Sequence, residues 1–358
     1  MGAMGPTHLW IRHEARETER RTPVVPADVR RLRDVGFAVT VEESPQRVFP
    51  IGEYGAAGAT VAGKGSWVDA PDDAVVIGIK ELPEEPDSLR HTHVYFAHSF
   101  KGQNEAVAVL ERFRRGGGRL LDIEYLTDEN GKRVVAFGYW AGYVGAGLGV
   151  LHLVGRLSPP LVPMEKADLD ERLVAAGKDG ADQLLALVTG ARGRSGRGAQ
   201  RALAVAGLPI TRWDRQETRD LHKQVLLGHD LLVNCVVTHV PSTPFVVTDD
   251  LDHERRMWVI ADVTCDVTSP TNMLPVNTAV TTWDAPARRL SEGRPQDGSG
   301  PLDIIAIDNL PSLLPKEASE SFSADLTDQL LGLDPTHLEG PWAVAGHAFD
   351  QALRALPS

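Results

Sequence analysis

The 358-residue chain predicts an α/β protein of two Rossmann-like, doubly wound domains with a central cleft. Three observations carry this. Short apolar runs bounded by turn residues alternate with helical stretches in both halves, the pattern of parallel sheets covered on both faces. A glycine-rich turn follows one such run and opens a helix. Finally, the two α/β series stand one after the other, and ligands tend to bind between domains so arranged.

In the first half, His8-Leu9-Trp10-Ile11 reads as a strand and residues 26–32 as a helix closed by Gly36. Further strands are expected at 37–41, 74–79, 94–97 and 120–123. The clearest helix runs from Gln103 to Arg115 and stops at Gly116-Gly117-Gly118. Residues 140–153 form an amphipathic segment with small residues every three or four positions. No strand leads directly into its glycines, so close helix packing is expected there and not a phosphate loop. A proline-rich loop at 158–163 precedes a polar helix after Met164. The second half offers strands at 184–188, 208–213, 230–234, 258–262, 279–282 and 304–307. Residues 289–301 read as an exposed excursion, and helices at 315–331 and 341–356 end the chain.

Lys and Arg total 37 against 49 Asp and Glu, a formal charge of −12. A net acidic chain repels phosphate backbones and anionic lipid, so neither nucleic acid nor a membrane surface is an expected partner. Cys235 and Cys265 are too few for a disulfide framework and fit a reducing compartment. No run approaches the ~20 apolar residues of a membrane span, and Met1 to Pro6 have no signal-peptide character. The expectation is a cytoplasmic protein.

The strongest local motif is Gly190-Ala191-Arg192-Gly193-Arg194-Ser195-Gly196. Strand before and helix after are the context in which glycines admit a pyrophosphate to a positive helix end. The spacing is GxxGxxG, one residue off the usual GxGxxG. Asp214, 18 residues after Gly196 at the next strand end, suits a ribose hydroxyl. Asp214 disfavours a 2′-phosphate, so NAD is the expected cofactor, while the adjacent Arg215 leaves NADP open. His91 and His93 have no third ligand in evidence, so no metal is expected.

Several segments in collinear order then resemble the NAD-dependent, lysine-forming saccharopine dehydrogenase family. They are Arg12-His13-Glu14 through Arg21-Thr22-Pro23, Val41-Glu42-Glu43-Ser44-Pro45-Gln46 and Ile77-Gly78-Ile79-Lys80-Glu81-Leu82-Pro83. Phe96-Ala97-His98 with Lys101 and Gln103, Gly131-Lys132-Arg133-Val134-Val135-Ala136-Phe137-Gly138 and the glycine turn continue the series. Trp213-Asp214 and Asp308-Asn309-Leu310-Pro311-Ser312-Leu313-Leu314-Pro315 complete it. Alanine dehydrogenase and the transhydrogenase NAD-binding subunit are broader relatives.

The resemblance implies oxidation of saccharopine by NAD to L-lysine and 2-oxoglutarate through an imine. It implies Lys80 and His98 as the acid–base pair, with Glu81 and Glu124 tuning them. A lysine serves as a base only if burial or nearby cations lower its pKa, whereas a histidine titrates near neutrality unaided. Arg21 and Arg133 match substrate contacts, suited to three carboxylates, with Gln103 and Phe137 in the same pocket. Lys132 matches a cofactor-side arginine. Gly190, Gly193, Arg194, Ser195 and Gly196 match pyrophosphate positions, and Asp214 and Thr218 the adenosine ribose. Val263 and Thr264, with Ile307, Asp308, Asn309 and Leu310, match the nicotinamide side. Ser195 replaces a cysteine of some relatives, which excludes a disulfide to Cys235. The resemblance further implies a substrate domain of residues 1–136 plus 319–358 and an NAD domain of 137–318, hinged for closure, in a monomer or small homo-oligomer. A related dehydrogenase with another amine or oxo-acid partner, or a non-catalytic NAD-binding protein, are the alternatives.

Overall fold

The computed structural model describes residues 7–97, 104–238, 240–294 and 299–356. The chain forms two compact units, the first made of residues up to Ala136 and from Pro315 onward, the second of Phe137–Leu314. The return to the first unit falls at Pro315, where a helix starts, rather than at 319.

The first unit holds a parallel sheet in the order β3-β2-β1-β4-β5-β6. Its strands are β1 (His8–Ile11), β2 (Ala38–Glu42), β3 (Thr60–Ala62), β4 (Val75–Ile77), β5 (Thr92–Tyr95) and β6 (Arg119–Asp122). Helices α1 (Pro26–Asp34), α2 (Ile51–Ala56) and α3 (Asn104–Gly116) connect them, and α9 (Pro315–Leu330) and α10 (Gly340–Arg354) return to the same unit. Serine side chains dock α9. Ser319 Oγ accepts from Thr22 N at 3.0 Å, and Ser323 Oγ accepts from Val25 N at 2.9 Å while donating to Asp28 at 2.5 Å. Phe349 of α10 meets Phe113 of α3 edge-on at 5.6 Å.

The second unit's sheet runs β11-β12-β10-β9-β7-β8, from β7 (Ala186–Thr189), β8 (Ile210–Trp213), β9 (Leu231–Asn234), β10 (Val259–Asp262), β11 (Arg288–Ser291) and β12 (Leu302–Ile305). Only β11 is antiparallel, to β12. Alternate residues of the apolar strands enter cores on opposite faces: Val188, Val233 and Ala261 on one, Leu187, Leu232 and Ile260 on the other. This two-sided burial is why the strands read as continuous apolar runs. Helices α4 (Gly138–Leu153), α5 (Lys166–Lys178) and α6 (Arg194–Val205) cover the first face. Short helices α7 (Arg215–Arg219) and α8 (Lys223–Leu227) follow β8.

Three expectations change. The segment at 140–153 is not amphipathic: α4 is buried continuously from Gly142 to Leu151, enclosed by helix and sheet neighbours. Residues 279–282 form no strand; Thr281 exchanges bonds with Ala306 through N–H and hydroxyl, at 2.7 and 2.9 Å, and the chain passes on. The excursion at 289–301 instead supplies β11, whose partly exposed residues hid its pairing. The short edge strand β3 and helices α2, α7 and α8 were not expected, each being too short to show a hydrophobic period.

The small residues of α4 do serve close packing. A Cβ on Gly142 would stand 1.8 Å from the Ser195 carbonyl oxygen, and one on Gly198 of α6 1.8 Å from that of Tyr139. Backbone meets backbone, so no rotamer change relieves either contact. Gly142→Ala and Gly198→Ala should each cost about 3 kcal/mol or more, read as a lowered melting temperature with loss of dinucleotide affinity.

Candidate active site

A doubly wound sheet opens a crevice where successive strands depart to opposite sides. In the first unit β1 lies between β2 and β4, so the crevice falls at the C-terminal ends of β1 and β4. Arg12, His13 and Glu14 follow β1; Gly78, Ile79 and Lys80 follow β4. The Glu14 carboxylate accepts from the backbone N–H of Ile79 at 2.7 Å and of Lys80 at 3.0 Å. The buried Arg12 guanidinium donates to the Lys80 carbonyl and to His13 O at 2.8 Å, pairs with Glu14 at 3.5 Å, and lies against Tyr95. It passes so close under Gly78 that a Cβ there would come within 2.5 Å. The backbone of Lys80 is thus held from both sides by one ion pair.

Glu42, at the end of β2 and fully buried, gathers the neighbouring loops. Its carboxylate accepts from His13 N at 3.0 Å and Nδ1 at 2.8 Å, Trp10 Nε1 at 3.0 Å, Gly65 N at 3.0 Å and Trp67 N at 2.5 Å. Burial pushes its carboxyl upward, but these donors outweigh it and hold the pKa below its ordinary value. His13, beside Lys80's support, is fixed by this carboxylate.

The other expected residues of this unit are placed as follows. Glu81 is half exposed and gripped by Arg16 through Nε at 2.9 Å and Nη2 at 3.2 Å. Burial raises its pKa, yet Arg16 and Lys80 bring it below the ordinary value. Arg21 is buried with its side-on fork on Glu19, at 2.7 and 2.5 Å. The half-exposed Arg133 pairs with the largely buried Glu124 at 3.4 Å. Both arginines expected to meet substrate therefore stand beside a protein carboxylate. Lys132 lies in a turn closed on Asp128, its N–H donating to that carboxylate at 2.9 Å. His98, Lys101 and Gln103 lie outside the described residues, and no group of three metal-ligating side chains occurs among those described.

In the second unit β7 lies between β8 and β9, which sets the crevice at Gly190. Gly190 has φ +64°, and a Cβ on it would meet Cys235 O at 2.8 Å. A Cβ on Gly196 would meet Gly190 O at 2.3 Å. Gly193 is the N-cap of α6 and no side chain caps that helix, leaving its positive end to a ligand. Asp214 caps α7, accepting from Arg192 N and Arg215 N, each at 2.9 Å, while Glu217 accepts from Asp214 N at 2.8 Å. Burial raises the Asp214 pKa, but these two N–H groups and the arginine charges take it below its ordinary value. Beside it opens a cavity of about 900 Å³ lined by Arg215, Thr218, Arg219, Val237 and Met273. Turn, uncapped helix, acid and cavity together fit a dinucleotide.

Val263 and Thr264 follow β10. Asp262 holds Thr264 through its N–H at 3.2 Å and hydroxyl at 2.7 Å, and accepts from Asn234 and Asn277 at 3.1 and 3.2 Å. Gly145 of α4 lets the helix approach Val263 and Leu310, to which a Cβ would lie 2.8 and 3.2 Å away. Ile307, Asn309 and Leu310 are buried after β12, with Asp308 exposed among them. Cys235 is a free thiol whose pKa burial pushes up, so it is inert at neutral pH. Sequence reasoning had assigned no role to Arg12, Glu14, Glu42, Asp262 or Asn234. Their signal was position: each is polar and ends an apolar strand or follows one within three residues.

Glu42 has a testable pH signature. Its folded pKa lies below the unfolded value near 4.5, so the stability it contributes is present above that pH and lost as pH falls through the folded value. Glu42→Gln should therefore melt lower than wild type at neutral pH, by the equivalent of about 1–3 kcal/mol. The gap should narrow as the pH falls below the unfolded value and through the lowered folded one, in a melting-temperature series.

A family model described as the N-terminal domain of alanine dehydrogenase/PNT matches residues 10–144. A solved structure titled L-alanine dehydrogenase covers 97% of this chain and 94% of its own, with a TM-score of 0.66 at 14% identity, a likeness of fold. A curated saccharopine dehydrogenase (NAD+, L-lysine-forming) from Emericella nidulans is 40% identical over 99% of both chains. The protein of that name from Neurospora crassa is 41% identical over 99% of this chain and 98% of its own. With identity of this order along the whole chain, the protein belongs to the saccharopine dehydrogenase (NAD+, L-lysine-forming) family.

Proposed function

We propose that the chain cleaves saccharopine oxidatively, with NAD, to L-lysine and 2-oxoglutarate, and runs the reductive condensation in reverse. Full-length similarity to relatives named for that reaction carries the reading. The first unit is then the substrate and catalytic unit and the second the NAD-binding unit. Small molecules are its partners; the −12 charge and the low cysteine content support a cytoplasmic setting, as a monomer or small homo-oligomer.

Bound NAD would accept hydride from the carbon bearing the secondary amine. Lys80, its backbone held by Glu14 and Arg12, takes the amine proton. The resulting imine adds water, and His98 moves protons as the carbinolamine forms and collapses. Arg21, paired with Glu19, and Arg133, paired with Glu124, bind substrate carboxylates. Gln103 and Phe137 complete the substrate pocket, with Glu81 and Glu124 setting its charge.

In the second unit Gly190, Gly193, Arg194, Ser195 and Gly196 hold the pyrophosphate. Asp214, aimed by its two N–H partners, accepts from the adenosine ribose beside Thr218. Val263, Ile307, Asp308, Asn309 and Leu310 line the nicotinamide side, and Lys132 of the first unit is a cofactor-binding cation.

Following NADH oxidation at 340 nm with lysine plus 2-oxoglutarate tests the reaction. Turnover is expected with that pair and not with ammonia plus pyruvate. The Lys80→Met/His98→Gln double variant should lose about 10²–10⁴-fold in kcat while still binding NADH; turnover only with another pair would reassign the substrate. Asp214→Ala should lower the kcat/KM ratio of NAD over NADP by about tenfold or more, because Arg192 and Arg215 remain to meet a 2′-phosphate.

A further inference from the structure

Three neighbouring strands of the second unit end on polar side chains in a single row. Thr189 of β7 is in register with Asn234 of β9, and Asn234 with Asp262 of β10. Residues in register point to the same face of a sheet, and these three are each at most 1% exposed. A buried polar row is costly in an apolar sheet unless its groups are bonded.

The bonds converge on one residue. Thr189 Oγ1 donates to Asn234 Oδ1 at 3.1 Å, and Val236 N donates to the same oxygen at 3.2 Å. These two donors turn the Asn234 amide, so that its Nδ2 donates to Asp262 Oδ1 at 3.1 Å. From the other side Arg288 Nη2 donates to Asn277 Oδ1 at 2.8 Å, and Asn277 Nδ2 donates to Asp262 Oδ2 at 3.2 Å. Two chains of donors thus end on Asp262, and a carboxylate, which accepts on both oxygens, can close both.

The same carboxylate holds the segment that follows β10. Thr264 donates to Asp262 Oδ1 from its N–H at 3.2 Å and from its hydroxyl at 2.7 Å. Cys265 Sγ donates to the Asp262 carbonyl at 3.5 Å. Among the described residues Cys265 is the one non-glycine with a left-handed backbone, at φ +49°. Backbone of that kind persists where its surroundings impose it, and Asp262 supplies the restraint.

Strand order says what passes over this segment. β8, which ends at Asp214, lies on one side of β7, and β9 and β10 lie on the other. A dinucleotide with its pyrophosphate at Gly190 and its adenosine at Asp214 carries its other half across the ends of β9 and β10. We propose, on the dinucleotide reading of this crevice, that Asp262 is a positioning residue for the nicotinamide riboside half of the cofactor. Itself too deep to touch the ligand, it acts through the partly buried Thr264, whose backbone and hydroxyl it fixes.

The test titrates NADH and ADP into full-length wild type, Asp262→Asn, Thr264→Val and Thr264→Ser, with calorimetric readout. ADP carries the adenosine and pyrophosphate but no nicotinamide riboside. Asp262→Asn sets an NH2 against one of four donors, Thr264→Val removes the hydroxyl, and Thr264→Ser keeps it. Asp262→Asn and Thr264→Val should weaken NADH about tenfold or more, and ADP by less than about twofold. Thr264→Ser should bind both ligands as wild type does. Equal weakening of NADH and ADP would overturn the proposal, because a residue that only supports the fold disturbs the whole crevice. So would a Thr264→Val that binds NADH as tightly as wild type. A wild type that binds ADP but gains nothing from the nicotinamide riboside of NADH would end the dinucleotide reading, and the proposal with it. If Asp262→Asn does not fold, the Thr264→Val and Thr264→Ser pair decides between the same outcomes.

Discussion

A parallel sheet wound to both sides reverses direction once, and at that point two adjacent strand ends part with no connection between them. Each unit of this protein is organised by that constraint. In the first, the gap lies between β1 and β4 and collects Arg12, Glu14 and Lys80. In the second, it lies between β7 and β9 and collects Gly190, the start of α6 and the Asn234–Asp262 network. The chemistry is concentrated there because parting strand ends leave a covered parallel sheet room for a ligand.

What fills the two gaps differs, and the difference follows from the ligand each unit is built for. The first holds paired charge, Arg12 with Glu14, and the same unit also pairs His13 with Glu42, Arg21 with Glu19 and Arg133 with Glu124. Burying such groups is unfavourable unless every lone pair and proton is used, and Glu42 with its five donors shows how far that is carried. Fixed charges of this kind need little reorganisation when a charged substrate arrives. The second gap is lined instead by backbone, brought close by glycine. Gly190, Gly196 and Gly198 remove side chains where the turn, its helix and α4 come within touching distance, so that N–H groups can face a phosphate.

The buried Arg255 contrasts with this economy. Its Nη1 donates to Met257 O, while Nε and Nη2 are buried without a partner.

The linear chain determined the class of fold and its ligand chemistry. Strands buried on both faces must be apolar throughout, a tight turn before a helix must be glycine, and both demands are visible without coordinates. So is Asp214, because the strand and helix lengths of a βαβ unit fix its distance from the turn. Only the tertiary structure decided which polar residues work together. Glu14 reaches the backbone of Ile79 and Lys80, Glu42 joins Trp10, His13, Gly65 and Trp67, and Ser319 returns to Thr22. Those partners are far apart in sequence, and hydrogen bonding depends on three-dimensional direction, which no local pattern records. The burial of α4 on every side, the pairing of β11 and the unmatched fork of Arg255 were hidden for the same reason: each is a property of neighbours brought together by folding.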